Sequence, residues 1–125
     1  QNGWDVTYAG KMMTTKTGNC YSFASAYAYL VKRATGLPVR IATGSTNAFR
    51  ADNWQYHAWC EVKIQGLWYT FDPNLAWVAK KNPKGITNPA AKGKSFYRQN
   101  RSKMVGKLYK GANGSGTPKY VEVKI

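Results

Sequence analysis

Three residues within the first 72 positions have the types and order that thiol chemistry needs. Cys20 lies in Thr17-Gly18-Asn19-Cys20-Tyr21-Ser22-Phe23-Ala24, His57 in Tyr56-His57-Ala58-Trp59 and Asp72 in Tyr69-Thr70-Phe71-Asp72-Pro73. His57 is the only histidine, and Asp72 is one of five acids. A thiolate can attack, an imidazole can shuttle its proton, and a carboxylate can orient the imidazole. Singly, each residue has a plainer reading. Cysteine is a common small core residue, a lone histidine is usually packed, and Asp before Pro often closes a strand. Their order, their flanks and a shared sheet face carry the signal together.

The elements around them follow from periodicity. From Cys20 to Thr35 the apolar residues Phe23, Tyr27, Leu30, Val31 and Ala34 fall on one helical face. Thr17 or Asn19 can cap its start, and Gly36 with Pro38 ends it. Cys20 is thereby expected at a helix N-terminus, where the dipole and unpaired amides favour a thiolate and its own N–H can serve an oxyanion. Leu37 to Thr43 reads as a short strand stopped by Gly44, and residues 44–55 as a polar loop carrying Trp54.

A hairpin then alternates from Ala58 to Ile64, turns at Gln65-Gly66 and alternates from Leu67 to Phe71. Pairing Ile64 with Leu67 puts Ala58, Cys60, Val62, Ile64, Leu67, Tyr69 and Phe71 on one apolar face. His57, Trp59, Glu61, Lys63, Trp68, Thr70 and Asp72 share the other, with Asp72 opposite Trp59 and diagonal to His57. A three-residue turn would move Asp72 to the apolar face and expose half of the core positions. Trp59, Trp54 and Trp68 are the candidates to line a substrate groove, Trp59 because it shares the face of His57. Cys60 points to the core as an inert thiol. Cys20 and Cys60 are expected on different surfaces, without a disulfide between them.

The chain has 125 residues, 43% hydrophobic and 14% aromatic, which fits one folded domain over 1–125. No apolar run approaches the ~18 residues of a membrane-spanning helix. The net charge of +14 is uneven: residues 1–72 hold seven Lys/Arg against four acids, residues 73–121 eleven and no acid. Such a block attracts polyanions, among them nucleic acid, anionic lipid or an anionic cell-wall polymer. No specific nucleic-acid motif is present. One histidine, two cysteines and sparse acids make no zinc site, and no phosphate-binding loop is present, so neither metal nor cofactor is expected. Residues 79–119 read as basic loop with a short strand or helical turn near Ser95–Arg101. They are expected on the surface, outside the catalytic groove. Tyr120–Ile125 reads as a closing edge strand.

Residues 12–77 resemble the transglutaminase-like superfamily, the papain-related acyl-transfer fold. The resemblance rests on Gly18-Asn19-Cys20 with Phe23-Ala24, Gly36-Leu37-Pro38-Val39-Arg40 leading to Gly44, His57-Ala58-Trp59, and Gly66-Leu67-Trp68-Tyr69 with Phe71-Asp72-Pro73. It implies an α+β fold in which a nucleophile helix packs on an antiparallel sheet that carries His and Asp. It also implies thioester chemistry on a carboxamide or peptide amide, as in a transglutaminase, protease, amidase or deamidase. The expected partner is a protein or peptide substrate, and the expected state a monomer. Short, Lys-rich bacterial members are often extracytoplasmic domains, so a secreted or cell-surface domain of a larger protein is expected. The family's second oxyanion donor comes from upstream of the cysteine, where only Gln1, Trp4 and Tyr8 are available. A non-catalytic module that docks its basic surface on an anionic envelope polymer is the alternative, and it would not need an intact Cys-His-Asp set.

Overall fold

Gln65 and Gly66 both take positive φ, 52° and 85°, the conformation a two-residue hairpin turn requires. That turn fixes the register of the whole sheet. The computed structural model describes residues 20–124. The expected caps Thr17 and Asn19, the upstream donors Gln1, Trp4 and Tyr8, and Ile125 lie outside the described residues. Strand β2 (Asn53–Ile64) and strand β3 (Leu67–Phe71) pair antiparallel, with Ile64 opposite Leu67 and Cys60 opposite Phe71. This is the register the alternation predicts.

Strand β1 (Val39–Arg50) pairs with β2 along its length and shifts register only between Thr46 and Arg50. Three short strands complete an antiparallel sheet: β4 (Gln99–Asn100) on β3, and β5 (Tyr109–Lys110) and β6 (Lys119–Glu122) on the free side of β1. Helix α1 (Cys20–Thr35) covers one face. Helix α2 (Pro73–Lys81) follows β3, and a single turn, α3 (Arg101–Met104), follows β4. A helix on a six-stranded antiparallel sheet is the expected α+β architecture. Among the described residues no helix is long and apolar enough to cross a membrane.

Four sequence expectations need correction. Gly44 does not stop the strand; β1 runs through it, and residues 44–55 are mostly strand rather than loop. Glycine stands there for close approach: a Cβ on Gly44 would collide with the Lys110 carbonyl oxygen. We expect Gly44→Ala to push β5 off β1 at about 1–3 kcal/mol, the usual range for forced overpacking. Urea unfolding checks this; an unchanged midpoint would mean that β5 yields freely.

Helix α1 does not bury the expected Phe23–Leu30–Ala34 stripe as a unit. It settles on the small residues Cys20, Ala24 and Ala28 against Val39, Ile41, Ala58, Cys60 and Val62, while Leu30 is 52% exposed and Ala34 is exposed. Small side chains let a helix approach a β-branched sheet face closely, and Tyr27 and Val31 pack at the rim. The two cysteines therefore sit in one core cluster rather than on different surfaces, although both are free thiols.

The basic segment 79–119 is no mere surface loop. Its lysines are largely exposed, but Ile86, Ala91, Phe96, Met104, Leu108 and Tyr109 build a second core with Trp59 and Leu75 on the face opposite α1. Both faces of β2 are thus buried from His57 to Val62.

Candidate active site

Strand β3 is shorter than β2, so no β3 residue pairs with β2 at His57. It ends at Phe71, opposite Cys60. His57 lies three residues beyond that point, so its ring can reach past the edge of the sheet to the start of α1. Across β1 its partner is Gly44.

Asp72 is where β3 becomes α2. Pro73 follows as a helix-compatible first residue, and Asp72 caps the helix by accepting from Leu75 N–H through Oδ1 at 3.0 Å. Its other oxygen, Oδ2, receives the His57 Nε2 at 2.7 Å and the Tyr109 hydroxyl at 2.6 Å. The Asp72 backbone N–H donates to the Phe96 carbonyl at 2.8 Å. The carboxylate is fully buried, and a carboxylate only accepts hydrogen bonds, so His57 Nε2 carries the hydrogen. Nδ1 is then free for a second partner, and the nearby Cys20 thiol also acts on the ring.

The electrostatics of His57 follow from these contacts. Burial by itself lowers the pKa of an imidazole, but the Asp72 charge and hydrogen bond, reinforced by Cys20, outweigh it and raise His57 to about 10. The ring is therefore an imidazolium at neutral pH, held between a carboxylate and a thiol. Because the folded value is raised, the pair contributes stability that is complete below the ordinary imidazole value of about 6.5. That contribution is lost as pH rises through about 10. Burial and the neighbouring Asp72 charge likewise hold the Tyr109 hydroxyl well above its ordinary range, so it stays a neutral donor.

The structure brings Cys20, His57 and Asp72 together. Cys20 is 9% exposed at the first described position of α1, and Cys60 is fully buried with its thiol pushed up by burial. It separates the three tryptophans. Trp59 does not line a groove: it is fully buried, stacks on Tyr109 with ring centroids 4.0 Å apart, and donates from Nε1 to Glu61 at 3.0 Å. The face it shares with His57 is covered by the 79–119 segment. Trp68 is also away from the site, about 13 Å of strand from Asp72, with the Arg40 guanidinium 3.8 Å above its ring. Trp54, three residues before His57 on β2, is half-buried, with Lys110 Nζ 5.1 Å from its ring centre.

Sequence reasoning missed Tyr109, which fixes Asp72, and the exposed Tyr56, whose hydroxyl is held above its ordinary range by burial and the Cys20 charge. The only signal for Tyr109 was an apolar pair, Leu108-Tyr109, between Gly106 and Gly111 in a lysine-rich stretch. Among the described residues, no three His, Cys, Asp or Glu side chains group as metal ligands.

The family model of the transglutaminase-like superfamily matches residues 1–73, which include all three of these side chains. The chain belongs to the transglutaminase-like superfamily. Many members of the superfamily are cysteine enzymes. The match begins upstream of the expected boundary at residue 12 and ends at 73 rather than 77. The chain is also 31% identical over 91 residues to the Uncharacterized protein YebA of Bacillus subtilis (strain 168). That alignment covers 63% of this chain and 11% of YebA, so the chain spans only a small part of its curated relative. No solved structure matches.

Proposed function

We propose that this superfamily domain is a thiol acyl-transfer enzyme acting on amide or carboxamide groups of a protein or peptide. The observation that carries the reading is the buried Asp72–His57 contact at 2.7 Å, on a ring that the Cys20 thiol also acts on. A module that only binds has no use for that alignment.

The steps follow from the protons. The imidazolium is the counter-ion of a Cys20 thiolate, which attacks the carbonyl carbon and moves its π electrons onto oxygen. The Cys20 backbone N–H can donate to that oxyanion from the start of α1. As the C–N bond breaks, His57 Nδ1 gives its proton to the departing amine, leaving a thioester. The neutral ring then takes a proton from water or a second amine as that nucleophile attacks, and the thiolate departs. Asp72 holds the tautomer throughout and stabilises the cation. Water as acceptor gives hydrolysis or deamidation; an amine gives a cross-link. We also propose that the domain works within a larger secreted or cell-surface protein, a placement compatible with its basic surface.

Iodoacetamide labelling followed by mass spectrometry tests the thiol. Cys20 should be alkylated far faster than a model thiol at neutral pH, while Cys60, buried and held protonated, stays unlabelled. Turnover, followed separately as amine incorporation, ammonia release and peptide cleavage, should fall on the alkaline side near pH 10. There His57 loses the proton it must donate. Cys20 labelling no faster than the model thiol, or an alkaline fall near the ordinary imidazole value, would sink the assignment.

A further inference from the structure

Beyond the Cys20 end of α1, the described residues cover that sheet face only in part: the 111–116 turn bonds the buried Ser45 and lies against Trp54, while Tyr56 and Lys119 stay exposed. The residues of the face can be placed from the register. Tyr56 pairs with Ser45, and Ser45 pairs with Lys110. One step along, Ala58 pairs with Thr43, and Thr43 pairs with Lys119. Directly paired residues project to the same side of a sheet, so Tyr56, Lys110 and Lys119 share one face. It is the face of Ala58 and Cys60, on which α1 and Cys20 lie. Trp54, two residues before Tyr56, joins it and holds Lys110 against its ring.

This face has the chemistry of a docking surface. Tyr56 is 63% exposed, directly precedes His57 and lies on the sheet face that carries Cys20. Lys119 is exposed and Lys110 half-exposed. Among the described residues neither lysine has a carboxylate within ion-pair distance. The described acids are elsewhere. Glu61 and Asp72 are buried on the opposite face, Glu122 pairs with Arg40 in the register of that opposite face, and Asp52 bonds Arg50 in the β1–β2 turn. Two cations on strands that follow one another along the same side of β1, with two aromatic rings on the same face, suit a carboxylate on an extended peptide. The rings would cover its backbone and the ammonium groups would take the charge.

We propose that the partly exposed face formed by Trp54, Tyr56, Lys110 and Lys119 docks an acidic segment of the peptide substrate, setting a Glu or Asp side chain near the scissile amide. This rests on the thiol acyl-transfer reading of Cys20 and names the substrate class of that site. The remaining lysines of the basic segment play no part in it.

The test compares peptidyl vinyl sulfones that carry Glu, Gln or Lys on either side of the reactive carbon, at low salt. For at least one side, the Glu probe should inactivate the protein about tenfold faster than the Gln probe, as expected of two partly exposed charge pairs. Lys110→Gln with Lys119→Gln should abolish that preference and leave the iodoacetamide rate unchanged. Lys80→Gln with Lys81→Gln, at the exposed end of α2, should keep it. Equal rates for all probes would overturn the proposal. So would a preference lost equally in both double variants, because the net charge alone would then be responsible. Should iodoacetamide show Cys20 to be unactivated, the acyl-transfer reading fails by itself. The docking face is then read by fluorescence anisotropy of the same Glu and Gln peptides without the sulfone. Binding of the Glu peptide that depends on Lys110 and Lys119 supports the face, and equal binding of the two peptides overturns it.

Discussion

Asp72→Asn is expected to lower turnover about 10⁴-fold, the scale seen when a triad orienter is lost, in a protein that still folds. Asp72 offers two acceptor oxygens to three donors: Leu75 N–H, the Tyr109 hydroxyl and His57 Nε2. An asparagine offers one oxygen and an NH₂ group. With the helix cap keeping the oxygen, the NH₂ faces two hydrogen-bond donors, and His57 must turn or exchange its tautomer. The charge that raises His57 disappears as well. Burial is then the main influence, and it disfavours the imidazolium that the first proton transfer needs. The alkaline limb near pH 10 should vanish with it. Cys20→Ala should abolish turnover outright and leave the fold intact, because the stripe it joins is already alanine at 24 and 28. Circular dichroism and urea midpoints report the fold, and the three product assays report turnover. Asp72→Asn with turnover within tenfold of the parent would remove Asp72 from the mechanism.

The part of the site that could be read from sequence is the part set by period-2 alternation. The hairpin from Ala58 to Phe71 has one register that buries an apolar face, and that register alone puts Asp72 beside His57. Alternation identifies faces but not what covers them. Trp59 shares the face of His57 as expected, yet it is core, because Tyr109 and Leu108 cover that face from a segment whose apolar residues stand singly among Lys, Gly and Asn. No period marks such a segment; its structure comes from long-range packing. Gly44 misled for a related reason. A strand-stopping glycine and a glycine that admits a neighbouring carbonyl look alike until β5 is placed. The helix over Cys20–Thr35 was legible from its period, whereas Tyr56, exposed on the sheet face that carries Cys20, has no pattern to mark it.

The largest expected effect on stability lies at the other end of the same sheet face. Glu61 is fully buried. Its Oε1 accepts from Arg40 Nε at 2.9 Å and Nη2 at 2.8 Å, its Oε2 accepts from the Trp59 indole, and Arg101 Nε stands 3.6 Å off. The Arg40 guanidinium is only 19% exposed and lies between the rings of Trp68 and Tyr120, 3.8 Å from each. Arg40→Met keeps most of the stem and removes the charge. Glu61 is then left with an indole N–H and a distant guanidinium, and removing one partner of a buried pair usually costs about 3–5 kcal/mol. The residual Arg101 charge places this case near 3 kcal/mol, a drop of roughly 1–2 M in the urea midpoint for an ordinary slope. Arg40→Met combined with Glu61→Leu should be milder than Arg40→Met alone, because no uncompensated carboxylate remains. The iodoacetamide rate of the folded fraction should change little in either variant, since Arg40 is about 13 Å along β1 from Gly44, the partner of His57. A double variant less stable than the single one would assign the effect to packing between Trp68 and Tyr120 rather than to the buried charge.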